Sequence, residues 1–349
     1  MFKRKIAVIN GKGEVLIKEE SVPQLSHNQT LIEVHHSLVS AGTEILNIVA
    51  RRKNPDASQA DLSAGYSTAG IVKEVAGESN WLKPGMRVMA MGANGAHHAD
   101  YVCVPNNLIV PVPDALPFEE AVYACLAATA MQAIHRAELK LGEYGAVLGL
   151  GCIGNLAAQL AQLNGARVIG WDALPSRLEI ARKCGINHTA NYLESDAVQM
   201  SQIFSEPYGL EFALLAFGGN GTEAIRSLMS CMMQSADGHL IGRIISIGAI
   251  QFELQGGARM GNMDIRFSSR TGPGYHDPEY EYGADYPKGF VPFTTQRNLR
   301  ELLRLMAEKR LLVTPLTTHF MPLEKYPEII ERVLDDPNQV LGVVLNMER

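Results

Sequence analysis

Two tryptophans, five cysteines and no Lys/Arg run longer than three are what this chain of 349 residues has least of, and each scarcity excludes a class. Cys103, Cys125, Cys152, Cys184 and Cys231 are odd in number, scattered and free of any CxxC pair, which fits reduced thiols. Neither a disulfide framework nor a structural zinc site follows from such a set. Basic residues number 31 against 37 acidic ones, a net charge of −6, so neither nucleic acid nor an anionic membrane surface is an expected partner. No apolar stretch approaches the ~18 residues of a membrane span, and the run Ile6 to Ile9 is too short for a signal peptide, so a cytoplasmic protein is expected. What is present, 46% hydrophobic and 19% charged residues over this length, suits two domains with separate cores.

The stretch from Tyr144 to Asp172, YGAVLGLGCIGNLAAQLAQLNGARVIGWD, reads as one complete dinucleotide-binding unit. A short apolar strand, Ala146 to Leu148, precedes Gly149, Gly151 and Gly154 at GxGxxG spacing, and Leu156, Leu160 and Leu163 follow at helical intervals. Gly149 permits the tight turn, Gly151 lets backbone approach a pyrophosphate and Gly154 allows close helix packing. The amides around Gly149, Gly151, Cys152, Ile153 and Gly154 then meet the phosphates at the positive end of the helix dipole. Val168 to Trp171 is the next strand and ends at Asp172, eighteen positions past Gly154, where a carboxylate accepts hydrogen bonds from the adenosine ribose. Asp172 repels a 2′-phosphate and favours NAD over NADP, whereas Arg177 is the one nearby group able to neutralise such a phosphate.

Residues 1 to about 122 alternate or run apolar for strand lengths between Gly, Pro and Asn breaks, as in QTLIEVHHSLV, AGIVKEVAG, MRVMAMG and ADYVCVP, which predicts a barrel-like or sandwich domain. From Ala121 the pattern becomes an alanine-rich helix, ACLAATAMQAIHRAEL, then alternating strands and helices, a doubly wound α/β pattern. The helix TQRNLRELLRLMAEKR leads to a last section and the strand QVLGVVLNM, expected to return to the first domain.

Four segments together resemble the medium-chain dehydrogenase/reductase superfamily, the zinc alcohol dehydrogenase architecture, over essentially the full length: SAGTE at 40–44, AGYSTAGIVKEVAG at 64–77, the KPGMRV and ADYVCVP strands, and the glycine motif with Asp172. The resemblance implies a GroES-like catalytic domain from both chain ends, 1–122 and 313–349, a Rossmann NAD-binding domain at 123–312, and an active site where they meet. It also implies a homo-oligomer, GRIISIGAI being similar to segments through which relatives dimerise.

The departures matter more. Zinc members resemble CGTD where this chain has Ala41, Gly42, Thr43 and Glu44, and GHE where it has Gly65, Tyr66 and Ser67. At the third ligand position Cys125 keeps a thiol, but one thiol with an alanine and a tyrosine cannot make a three-ligand zinc site, so no metal is expected. His97 and His98 do not restore one, because neighbours on a strand face opposite ways.

Without zinc, the proton accompanying hydride transfer needs a side-chain acid or base, and Tyr66 occupies the position of the family's metal-binding histidine. A nearby cationic nicotinamide is expected to lower its pKa from about 10. The resemblance gives Thr43 to the proton relay, and Glu44 reads as a structural acid between the domains. Thr129 is expected on the nicotinamide side. A Tyr-rich segment at 266–298, expected as an insertion in the nucleotide domain, places four of eleven tyrosines between Tyr275 and Tyr286. Its mix of aromatic faces and planar donors suits a polyhydroxylated ligand, and a surface excursion or subunit contact equally. His98, Arg266, Arg270 and Tyr275 are the candidate substrate residues. The expectation is an NAD-dependent, zinc-independent oxidoreductase of a sugar, cyclitol or related polyol; quinone or enoyl reduction on the same fold, and cofactor binding without turnover, are the rivals.

Overall fold

Burial alternates along the first part of the strand Gln29–Val39, giving it one face for a core, while Ile6 to Ile9 of the strand Lys3–Ile9 are buried on both faces. The computed structural model describes residues 3–77, 79, 81–254, 256–336 and 338–347. The chain divides into two units: one of residues 1–125, 272–309 and 316–349, the other of residues 126–271 and 310–315.

In the first unit a seven-stranded sheet runs in the order Thr317–Pro322, Gly342–Asn346, Gln29–Val39, Ser67–Val75, Arg87–Met91 and Ile109–Pro111, with Tyr101–Pro105 also pairing to Gln29–Val39. The two C-terminal strands complete a sheet begun at the N-terminal end. A smaller sheet joins Val15–Ser21, Lys3–Ile9 and Leu62–Ser63. The helix Ala41–Lys53 is an addition to the β-rich expectation. Its charges follow the helix dipole, Glu44 in the first turn and Arg51, Arg52 and Lys53 in the last.

The segment expected within the nucleotide domain instead belongs to the first unit from Gly272 onward. Asn28 Nδ2 donates to the Tyr282 carbonyl at 2.6 Å, and Asn107 Nδ2 donates to the carbonyls of Tyr280 and Ala284 at 2.7 and 3.1 Å. The segment is not a bare loop: Asp277 caps the short helix Pro278–Glu281, and Thr294 caps Thr295–Ala307.

In the second unit a six-stranded, wholly parallel sheet runs His188–Asn191, Arg167–Asp172, Tyr144–Leu148, Phe212–Leu215, Ile241–Ser246 and Asn262–Phe267. Numbered along the chain this is 3-2-1-4-5-6, the doubly wound order whose phosphate-binding turn follows the first strand. Ile169, Trp171, Leu215, Ile225 and Ile244 pack one core, with the Trp171 indole nitrogen donating to Ser201 Oγ at 2.9 Å. Ile241–Ser246 lies one strand in from the edge, which Asn262–Phe267 forms. Among the described residues no helix is long and apolar enough to cross a membrane.

Candidate active site

The turn after Tyr144–Leu148 has the three glycines the sequence motif requires, each for its own steric reason. Gly149 sits at φ +89°, a left-handed backbone that disfavours a side chain. A Cβ at Gly154 would lie 1.8 Å from the Gly149 carbonyl oxygen, so the helix packs directly on the turn. Gly151 is different: its φ is −60°, and a Cβ there would meet no atom within 4 Å. Neither the backbone nor the protein's packing demands glycine at that point, and the space it leaves lies at the amino end of Cys152–Leu163, which no side chain caps. Uncapped amides and an open approach are what a pyrophosphate needs. Burial pushes the Cys152 thiol up to about 12, so it is neutral there.

Asp172 closes the same corner. Its two carboxylate oxygens accept the Leu150 amide at 2.7 Å and the Leu174 amide at 2.9 Å, which fixes the group beside the glycine turn with lone pairs to spare for ribose hydroxyls. Arg177 Nη1 lies 3.8 Å from this carboxylate. Thr129 is half-buried on the helix Ala124–Ala137, between buried alanines. A surface hollow of about 890 Å³, lined by Tyr144, Arg167, His188 and Phe204 among others, lies at the amino ends of the strands and so apart from this turn.

In the first unit Tyr66 and Thr43 come together through a residue the sequence did not single out. The Tyr66 hydroxyl donates to Ser40 Oγ, and Ser40 Oγ lies 3.5 Å from Thr43 Oγ1. Burial holds the Tyr66 phenol above the usual tyrosine range, opposed by hydrogen bonds with Ser40 and Thr43. The protein's own groups thus act against the lowering expected from a cationic ring. Cys125 is fully buried, its thiol hydrogen-bonded to Ser67 and pushed up by burial to about 12, which keeps it uncharged at neutral pH.

Glu44 is enclosed within the first unit rather than between domains. Its Oε1 accepts the Ser40 amide at 2.7 Å; its Oε2 accepts the Tyr326 hydroxyl and lies 3.0 Å from His98 Nε2. His98 Nδ1 is 2.8 Å from Ser37 Oγ. Burial raises the proton affinity of Glu44, but the His98 charge and the hydrogen bonds from His98, Tyr326 and Ser40 outweigh it and leave the carboxyl below its usual range. Removing one partner of such a buried pair costs about 3–5 kcal/mol. No sequence spacing signals this cluster, since Tyr326 lies 282 positions from Glu44.

The four candidate substrate residues divide between the two units. His98 is fully buried with both ring nitrogens engaged, so it faces no ligand. Arg266, in the second unit, pairs with Asp264 at 2.8 Å and Glu138 at 3.0 Å. Arg270, also there, is exposed. Tyr275, in the first unit, accepts the Ala93 amide at 3.1 Å with its hydroxyl and stacks on His276 at 3.9 Å. Of the other tyrosines, Tyr280 is buried and stacks on Tyr286 at 5.1 Å, and the Tyr286 hydroxyl donates to Asp277. The Tyr280 and Tyr286 rings hold the segment together.

A catalytic zinc takes three protein ligands. Around Tyr66 and Cys125 the chain supplies one neutral thiol and a phenol already hydrogen-bonded to Ser40, and among the described residues no three His, Cys, Asp or Glu side chains gather. This donor set does not fit the metal.

Comparison with known proteins agrees with the fold. The family described as "Zinc-binding dehydrogenase" matches residues 152–271. An uncharacterised zinc-type alcohol dehydrogenase-like protein of Haemophilus influenzae is 26% identical over 242 residues, which span 62% of this chain and 70% of that protein. Sorbitol dehydrogenase of Bacillus subtilis is 24% identical over 237 residues, 60% of this chain and 67% of that one. The crystal structure of galactitol-1-phosphate dehydrogenase from Escherichia coli superposes with a TM-score of 0.77 at 19% identity, covering 98% of this chain and 99% of that chain. The glycine turn, the sheet order and these likenesses together support the medium-chain dehydrogenase/reductase superfamily, with a zinc alcohol dehydrogenase-like architecture.

Proposed function

We propose that this medium-chain oxidoreductase is NAD-dependent and zinc-independent, and that it interconverts a secondary alcohol and a ketone of a sugar, cyclitol or related polyol, with Tyr66 as the group that handles the proton. The observation that carries the reading is the Tyr66 hydroxyl, hydrogen-bonded to Ser40 beside Thr43, in surroundings whose donors do not fit zinc.

The residues that would hold the dinucleotide are Gly149, Gly151, Cys152, Ile153 and Gly154 at the phosphates, Asp172 at the ribose, and Thr129 toward the nicotinamide. When bound, the nicotinamide supplies or accepts a hydride. Asp172 supports NAD over NADP, and Arg177 stands close enough to that carboxylate to be engaged by it. In the reducing direction a carbonyl oxygen gains charge as its carbon is reduced. Tyr66, held protonated by burial, donates a hydrogen bond and then its proton to that oxygen; in oxidation the same phenolate takes the proton back. Thr43, exposed, continues the hydroxyl line from Ser40 and passes the proton on.

The polyol class draws on the sorbitol and galactitol-1-phosphate dehydrogenases among the similar proteins. Tyr275, whose ring is only half-buried, is the substrate contact retained from the Tyr-rich segment. A cytoplasmic homo-oligomer, with the edge strand Asn262–Phe267 available for pairing, accords with this reading.

The test is Tyr66→Phe. Loss of the phenol is expected to lower kcat for a polyol or its ketone about 10²- to 10⁴-fold while NADH binding stays at the parent level. Parent kcat in the variant contradicts the proposal.

A further inference from the structure

We infer that the buried Glu44–His98 pair positions Tyr66, holding its hydroxyl through Ser40 and its backbone through Gly65. This rests on the reading of Tyr66 as the proton donor.

Ser40 is the joint between the strand Gln29–Val39 and the helix Ala41–Lys53, and it faces two ways. Its amide donates to Glu44 Oε1 at 2.7 Å, while its side-chain oxygen accepts the Tyr66 hydroxyl. Glu44 thereby fixes the peptide that carries the acceptor of Tyr66. The second hold is at the backbone. Gly65, at φ +88°, lies so close against the His98 ring that a Cβ would fall 2.6 Å from its Nδ1, and the His98 amide donates to the Ala64 carbonyl at 2.8 Å. The residue before Tyr66 is thus seated on the same imidazole that pairs with Glu44, and that imidazole is pinned at its far nitrogen by Ser37 and packed on Tyr326, ring centroids 5.0 Å apart. Both ends of Tyr66 refer to one buried pair.

The charge has a direct consequence. The groups facing the Tyr66 phenol are Ser40, Thr43 and Glu44 from the strand–helix joint and Cys125 from the helix Ala124–Ala137. Burial is the main cause of the raised phenol; with Cys125 uncharged at neutral pH, the Glu44 carboxylate, paired with His98, is the charged group that adds to it. A phenolate forming close to a buried carboxylate is disfavoured, so the Glu44 charge adds to burial in holding Tyr66 protonated at rest, and the ionisation of Tyr66 reports on Glu44.

The test uses the full chain with NAD bound and ¹³Cζ-labelled tyrosine, the Tyr66 resonance being assigned by its loss in Tyr66→Phe. At the highest pH at which parent and variant both stay folded, Glu44→Gln is expected to raise the tyrosinate-to-tyrosine ratio of Tyr66 about tenfold, a shift of about one pH unit, and Glu44→Asp to restore the parent ratio. An equal ratio in parent and Glu44→Gln overturns the inference. Where Glu44→Gln does not fold, Ser40→Ala decides, because it removes only the linking hydroxyl. A fall in kcat of about tenfold or more with NADH Kd and KM unchanged supports the link, and parent kcat overturns it. If Tyr66→Phe itself turns over at the parent rate, the proton-donor reading fails while the titration result stands separately.

Discussion

Alanine at Gly151 separates the needs of the fold from the needs of a dinucleotide. The substitution adds one methyl at the amino end of Cys152–Leu163, where no protein atom lies within 4 Å and φ is −60°, so the folded chain accepts it without strain. Restricting the unfolded chain stabilises by roughly 0.4–1 kcal/mol, and the poorer helix-capping character of alanine costs a similar amount, so stability should stay within about 0.5 kcal/mol of the parent. A pyrophosphate approaching those amides meets the methyl. Loss of one charge-assisted hydrogen bond is worth about 1.5–3 kcal/mol, or roughly a 10- to 150-fold rise in the NADH Kd. Gly154→Ala is the contrast: its Cβ would fall 1.8 Å from the Gly149 carbonyl oxygen, and crowding of this kind costs about 1–3 kcal/mol or more through displacement of the helix. Thermal unfolding and NADH fluorescence titration of both variants check the argument. A Gly151→Ala protein that binds NADH like the parent would refute the assignment of that open space to the cofactor.

Asp172→Asn keeps one amide acceptor but removes the charge. It should weaken NADH by about tenfold and narrow the gap to NADPH, and fluorescence titrations with unchanged selectivity would count against the ribose role. Burial pushes the His97 imidazole down to about 4 from 6.5, so as pH falls through that window the unfolded chain takes up a proton the folded one refuses. Stability is therefore expected to drop by about 2 kcal/mol, its partial exposure allowed for, between pH 6.5 and 4. In His97→Gln this part of the slope in a pH series of thermal melts should vanish.

The nucleotide unit was legible because its chemistry is local: a strand, three glycines, a helix and an acid fall within 29 residues, and Gly149 and Gly154 have steric reasons in the folded chain itself. QVLGVVLNM was legible as a strand in its apolar run, but its pairing with Gln29–Val39 is seen only in the structure. Gly272–Lys309 was misplaced because its anchors, Asn28, Ala93 and Asn107, lie far away in sequence and belong to ordinary residue types. His98 looked like a ligand contact for the same reason. Only the structure shows that Glu44, Ser37 and Tyr326 enclose it. Tyr66 was found through what it replaces, whereas Ser40, its hydrogen-bond acceptor, had no signal beyond being the first residue of SAGTE.

Zinc content measured beside turnover tests the central claim most directly. Protein purified and dialysed against a strong chelator should hold far less than one zinc per chain and still oxidise a polyol, or reduce its ketone, with NAD(H) at the undialysed rate. Stoichiometric zinc whose removal abolishes turnover, and whose return restores it, would contradict the account.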